Sequence, residues 1–392
     1  MLWSARPSWR LALSQAAQAW QVARMKKRLA FAALVLLQHL AAAPAVHAQA
    51  SAAQAAGKTK PSPLAPSEIV AAAPKGEWVV IAASDLLVMD LAPDAKGKAR
   101  RVVIQLMAPA FSQGWVSNIR TLAKAHWWDG LSINRVQDNY VVQWGDGNAD
   151  DKTKAKALPE GLKVMPESEY RTKLPVSSVR PGYCAQYSAE QPCSEFERSP
   201  AVTISKTKDA YATETAFYSG WPIALVPVWN GVKPSKAKPV KGLKAVRKYS
   251  VQNEAWPVHC YGMVGVGRDL SPNTGSGAEL YTVIGHAPRH LDRNIALVGR
   301  VIEGIEHLSS LPRGHGGLGF YDLELGDERV SIVSIHPGVE VKDLPVYEYL
   351  STESASFAKY ADARANRRDA FFIRPAGGAD VCNIPVPVRR AK

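Results

Sequence analysis

One stretch constrains the fold more than any other: Trp128–Asp146, WDGLSINRVQDNYVVQWGD. Asp129-Gly130 reads as a turn, and from Leu131 to Val142 apolar and polar residues alternate as in two half-buried strands. Asp138-Asn139 between them suits a chain reversal, because both residue types tolerate a left-handed backbone. The chain is therefore organised around an antiparallel hairpin ending in Gln143-Trp144-Gly145-Asp146. Arg135 lies inside the first strand. Taken locally, an arginine there is an ordinary solvated or ion-paired surface residue.

The same texture extends to both sides. WVVIAA from Trp78, LLVMDLA, and RVVIQL over Arg101–Leu106 are β-branched runs separated by turn residues. Over Ala110–Ala125 the period changes, with Phe111, Trp115, Ile119, Leu122 and Ala123 on one face of a predicted helix. TAFYSGWPIALVPVW reads as a further hairpin, and YDLEL and RVSIVSIH as further strands. Phe357–Phe371 reads as a helix with basic residues on its outer side. With 46% hydrophobic residues in 392, a large core is within reach.

The ends of the chain explain much of its charge. Residues 1–48 hold six Lys or Arg and no acid, and without them the formal charge falls from +13 to +7. Met25-Lys26-Lys27-Arg28, the apolar LAFAALVLL and Ala-Pro-Ala-Val-His-Ala make a secretory signal, with Met25 as the expected true start. The apolar run is too short to span a bilayer comfortably, so no stable membrane insertion is expected after cleavage. Residues 49–75 read as a mobile linker. The expected location is the periplasm. Cys184, Cys193, Cys260 and Cys382 suit an exported chain, and of three possible pairings local spacing favours Cys184–Cys193 with Cys260–Cys382.

Other motifs fail on context. Gly314–Gly319 matches GxGxxG, yet it follows Leu-Pro-Arg and precedes a strand-like run, so no helix start is there to bind a pyrophosphate. Asp146, Asn148 and Asp150 begin like a calcium loop, but Asp151 stands where the sharp-turn glycine belongs. His286 and His290 lack a third ligand, so no metal and no cofactor are expected. The lysine-rich 233–248 segment reads as a solvated loop, and no nucleic-acid role is expected in an exported chain.

Two separated blocks together carry a resemblance. VVIQLM, FSQGWVSNIRTLAKA and WWDGLSINRVQDNYVVQWGD form the first; YGMVGVGRDLSPNTGSGAELYTVIGHAPRHLDRNIALVGRVIEGIEHL forms the second. In order and spacing they resemble the cyclophilin-type peptidyl-prolyl isomerases, with one large insertion between them. The resemblance implies a mainly β fold: a closed eight-stranded antiparallel barrel capped by two helices, the second at Glu303–Leu311. The barrel domain would span 76–345, interrupted by an insertion at 147–258 that covers an edge or forms a flap, and 346–392 would be a helical extension.

The resemblance also implies the chemistry and the site. Rotation about X-Pro needs no nucleophile, only a donor that favours the twisted proline nitrogen over the planar one, and an arginine suits this. Arg135 matches the catalytic arginine and Gln143 its neighbouring glutamine. Tyr140, Val141, Tyr281, Leu291 and Ile295 match the proline pocket, and His290 falls where many members carry tryptophan. Proline-containing polypeptides are the implied partners of a monomeric enzyme; the alternative is a groove that binds proline without accelerating rotation. Departures concentrate at the site: Ile133-Asn134 for Phe-His, Trp144 for glycine, and Glu279 for a neutral amide. The acid at 279 is expected to compete for Arg135, and the ring at 144 to crowd a close backbone approach.

Overall fold

The computed structural model describes residues 63–175, 209–228 and 252–391, within one compact unit, Pro61–Lys392. The expected signal segment and the expected Cys184–Cys193 pair lie outside the described residues.

Strand alternation sorts the side chains as the β-branched runs predict. β1 (Trp78–Ile81), β2 (Leu86–Leu91) and β3 (Arg100–Leu106) come first, and β2 and β3 send Leu87, Met89, Val102 and Ile104 into the main core. β4 (Ser132–Val136) and β5 (Val141–Gly145) follow, then β6 (Thr172–Pro175), β7 (Glu214–Tyr218), β8 (Trp221–Val228) and β9 (Gln252–Pro257). β10 (Met263–Val266), β11 (Leu280–Val283) and β12 (Leu297–Glu303) precede β13 (Ile332–Pro337), β14 (Tyr347–Leu350) and β15 (Val388–Arg390). Eight of these form one sheet in the order β13-β2-β3-β12-β10-β11-β5-β4. Its ends meet: Ile133 N donates to Val330 O at 2.9 Å and Ile332 N to Leu131 O at 2.8 Å, so β4 returns to the start of β13. The result is the expected barrel, with no long free edge.

Among the described residues four helices accompany the strands: α1 (Pro66–Ala71), α2 (Gln113–Lys124), α3 (Glu306–Ser309) and α4 (Ala355–Ala365). α2 buries Trp115, Ile119, Leu122 and Ala123 as its spacing predicts, but starts late because Ala110 and Ser112 have positive φ. α3 is a single turn, shorter than the expected Glu303–Leu311, since β12 runs on to Glu303 and Gly304 turns the chain at φ 82°.

Three readings need correction. Residues 63–75 are not linker throughout: α1 packs against α4, with Glu68 Oε2 accepting from Ala65 N at 2.7 Å to close its first turn. YDLEL is not a strand: the Asp322 side chain accepts from Glu324 N, Leu323–Leu325 form one tight helical turn, and Gly326 ends it at φ 85°. β1 lies outside the barrel, in a three-stranded sheet with β14 and β15.

The insertion supplies a second sheet, β6-β9-β8-β7, containing the expected β7–β8 hairpin. Phe217, Trp221, Ile223 and Trp256 join the same core as the barrel, and the buried Arg300 guanidinium on β12 donates to Gly220 O at 2.8 Å. Phe217 meets Phe357 of α4 edge-on at 4.9 Å, so insertion and C-terminal extension pack together. Cys260 and Cys382 form a disulfide across 122 residues, tying the tail to the segment between β9 and β10. Among the described residues no helix is long and apolar enough to cross a membrane.

Candidate active site

The hairpin of β4 and β5 pairs Ile133 with Trp144 and Arg135 with Gln143, so Asn134 is an extra residue, a β-bulge. A bulge bends its strand and re-aims the next side chain. Asn134 is held in that role by three contacts: Nδ2 donates to Gly145 O at 3.0 Å, Oδ1 accepts from Ser132 Oγ at 2.7 Å, and its carbonyl accepts from Tyr321 N. Asn139 at φ 50° makes the turn to β5.

Arg135 is half-buried, and burial lowers its pKa while leaving it charged at neutral pH. Nε donates to Leu318 O at 2.7 Å, Nη1 to Gln143 Oε1 at 3.3 Å, and Nη2 to Gln137 Oε1. Three of its five N–H groups are thus engaged among the described residues, and the guanidinium lies 5.6 Å from the ring of Tyr140 and 5.3 Å from that of Phe320. The Gly314–Gly319 segment that mimicked a nucleotide motif has this use: with Leu318 and Gly319 at positive φ it runs beside β4, bridging Phe320 to Arg135.

Next to Arg135 is a small apolar cluster separate from the barrel core: Val141, Tyr281 and Val283, with Tyr140 and Ile295 against them. His290 stacks on Tyr140, with centroids 6.4 Å apart and planes within 8°. Leu291 is half-buried in the same 3-10 turn, Arg289–Leu291, and its carbonyl accepts from Ile295 N. The structure therefore gathers Arg135, Gln143, Tyr140, Val141, Tyr281 and Ile295 at one face, with His290 and Leu291 at its rim.

The chain belongs to the cyclophilin-type peptidyl-prolyl isomerases. The family model described as "Cyclophilin type peptidyl-prolyl cis-trans isomerase/CLD" matches residues 96–332, more than half of the sequence. The fold is similar to a cyclophilin from Hirschia baltica, AquaCyp293, at 20% identity and a TM-score of 0.52, over 80% of this chain and 94% of that one. A cyclophilin-type isomerase from Cryptosporidium parvum, solved in the presence of the dipeptide Ala-Pro, matches at 9% identity and a TM-score of 0.32, over 64% of this chain and 98% of that one. No curated protein sequence matches the chain.

Against the family pattern, two expected disturbances turn out otherwise. Trp144 does not crowd the groove: alternation on β5 points Gln143 out and Trp144 into the barrel core, where it is fully buried. Its Nε1 has no hydrogen-bond partner among the described residues. Nor does Glu279 form an ion pair with Arg135 among the described residues. Its side chain lies over Gly145, near the Gln143 amide and the Asp146 backbone, with Oε1 buried and without a hydrogen-bond partner among the described residues. Burial raises its carboxyl to about 7. Gln143 thus stands between the two groups, its oxygen accepting from Arg135 and its amide nitrogen beside Glu279.

One part of the site gave no sequence signal. Tyr281 turns its hydroxyl away from the cluster, bonding His259 Nε2 at 2.8 Å; His259 Nδ1 bonds Asp292 Oδ1 at 2.8 Å. Arg289 Nε donates to Asp292 Oδ2 at 2.6 Å, and its Nη atoms donate to both oxygens of Asp209 at 2.9 and 3.1 Å. His259 is fully buried, and desolvation pushes its pKa down despite Asp292, so the ring is neutral and fixes both bonds. The chain of contacts ties the floor of the cluster to the turn carrying His290 and Leu291, and then to the insertion. Arg289 and Asp209, which it joins directly, lie 80 residues apart and share no motif.

Proposed function

We propose that this isomerase acts on X-Pro bonds in extended or unfolded polypeptides exported to the cell envelope, with Arg135 as the catalytic donor. The observation that carries this is the Asn134 bulge, which presents the Arg135 guanidinium beside the Tyr140, Val141, Tyr281 and Ile295 cluster with two N–H groups unengaged among the described residues.

The cluster accepts the proline ring, which needs only an apolar slot. The barrier of about 20 kcal/mol comes from amide resonance that keeps the proline nitrogen planar. As the bond twists, that nitrogen gains a lone pair, and an N–H of Arg135 donates to it. The planar ground state offers no such acceptor, so the bond forms mainly in the transition state and lowers the barrier. Partial burial strengthens it. Gln143 holds Nη1 in place, and the rings of Tyr140 and Phe320 lie beside the charge.

A protease-coupled isomerisation assay on an Ala-Pro-containing peptide tests the assignment. Arg135→Ala is expected to lower kcat/KM by about 100-fold or more, with an unchanged melting temperature. Peptide bound by the wild type without acceleration supports instead a binding groove, and an unchanged rate in the variant removes Arg135 from catalysis. Export is supported by the signal-like 25–48 segment and by the Cys260–Cys382 disulfide. N-terminal sequencing of chain recovered from the envelope fraction is expected to start after Ala48; recovery of uncleaved chain from the cytosol overturns it.

A further inference from the structure

Where α2 runs out, the chain brings two imidazoles and a carboxylate around one point. His126 follows the helix at φ 52°, Asp129 sits in the turn before β4, and His336 projects from β13. His126 Nδ1 is 2.7 Å from His336 Nε2 and 3.4 Å from Asp129 Oδ2, and His336 Nε2 is 3.1 Å from that same oxygen. A triangle with those sides has its corners about 1.8 Å from its centre, so a point about 1 Å off its plane lies about 2 Å from all three atoms. That is the length of zinc–nitrogen and zinc–oxygen bonds.

The surroundings hold these atoms in place. Asp129 Oδ1 accepts from Ile335 N at 3.1 Å, which fixes the carboxylate and leaves Oδ2 facing the imidazoles. His126 Nε2, the nitrogen turned away from the cluster, is 3.6 Å from Glu340 Oε2. At that distance the Glu340 carboxylate is an electrostatic neighbour of the far ring nitrogen, on the side where outer carboxylates orient ligating histidines. The rings meet edge to face, at 4.2 Å and 80°, so their nitrogens converge instead of stacking. His126 and His336 are 48% and 30% exposed, which leaves the remaining coordination position open to water.

We propose that His126, Asp129 and His336 bind a divalent first-row transition metal, with zinc the occupant that two imidazoles and one carboxylate favour. The metal would clasp the end of α2 to β13 and to the turn carrying Glu340. Copper(II) and nickel(II) accept the same donors; zinc is the probe, with cobalt(II) as its spectroscopic substitute.

Purified chain stripped with EDTA is titrated with zinc chloride by calorimetry, and in parallel with cobalt(II) chloride by visible absorption. The expected result is one zinc per chain, a melting temperature raised by a few degrees at saturation, and a cobalt absorption band of low-symmetry, nitrogen-bearing coordination. His126→Ala and His336→Ala are expected to lose the cobalt band and at least tenfold in zinc affinity. Glu340→Gln is expected to weaken zinc by about tenfold, and His307→Ala, outside the cluster, to change nothing. Absence of both the heat and the cobalt band with metal in excess overturns the proposal without any variant. Equal zinc affinity in wild type and His336→Ala, or in His336→Gln should the alanine variant not fold, also overturns it.

Discussion

Glu279 gives the site a titration that Arg135 alone does not have. Burial raises its carboxyl from the usual 4.5 to about 7, so the folded chain keeps a proton that the unfolded chain releases. The associated stability is full below pH 4.5 and is lost as pH rises to 7. Glu279→Gln removes this loss. Its melting temperature relative to wild type is expected to climb between pH 5 and pH 8, and a difference independent of pH would mean that the carboxyl does not titrate there. Since Gln143 bonds Arg135 and lies beside Glu279, the pH profile of kcat/KM is expected to bend near neutrality in wild type and to straighten in the variant. Tyr281→Phe tests the floor of the pocket. The hydroxyl faces His259 and not the cluster, so KM is expected to stay within twofold while about 1–2 kcal/mol of stability is lost in a denaturant titration.

At the scale of elements, the bulge in β4 and the turn at Arg289–Leu291 set the two sides of the groove. Asn134 is buried and bonded to β5 on one side and, through its carbonyl, to Tyr321 on the other. Asn134→Ala leaves Gly145 O without its donor and is expected to cost about 1–3 kcal/mol. It should also lower kcat more than it raises KM, because it misplaces Arg135 and leaves the apolar cluster alone. The Arg289 turn is anchored from the insertion. Arg289 and Asp209 are almost fully buried, and Asp209→Asn removes one charge of that pair, with an expected loss on the order of 3 kcal/mol. Its kinetic sign is the reverse of the bulge variant: KM for a proline peptide rises, because His290 and Leu291 lose their support, while kcat changes little. Stopped assays over a range of peptide concentrations separate the two.

For the whole molecule, the disulfide joins parts that local interactions leave far apart. A cross-link over 122 residues restricts the unfolded chain strongly, and its removal in Cys260→Ser with Cys382→Ser is expected to cost about 4–5 kcal/mol by the loop-entropy relation. Thermal melts with and without reductant check this: reductant should lower the wild-type transition, and a reductant-insensitive wild type would show that the tail is held by packing alone. The tail does pack, since Val381 and Ile384 are in the main core and Tyr360 Oη donates to Pro385 O. The loss is therefore expected in stability and not in the architecture.

The features written in the sequence are those carried by near neighbours along the chain. The Asp138-Asn139 turn, the inward alternation of Val142 and Trp144, the apolar face of α2 and the β7–β8 hairpin depend on residues within about a dozen positions, so local pattern is enough to place them. The two family blocks likewise preserved their order through the insertion, which made the barrel and its arginine readable. Tertiary structure decided the rest. Barrel closure is a matter of which distant backbones meet, and it set Leu131 against Ile332. The bulge at Asn134 depends on registration with β5 and on Tyr321, and the placement of Glu279 depends on the geometry over Gly145. The relay from Tyr281 to Asp209 and the approach of His126 to His336, 210 residues apart, join side chains whose only relation is spatial. No spacing in one dimension encodes such a meeting; it exists only once the closed sheet has fixed where each strand ends.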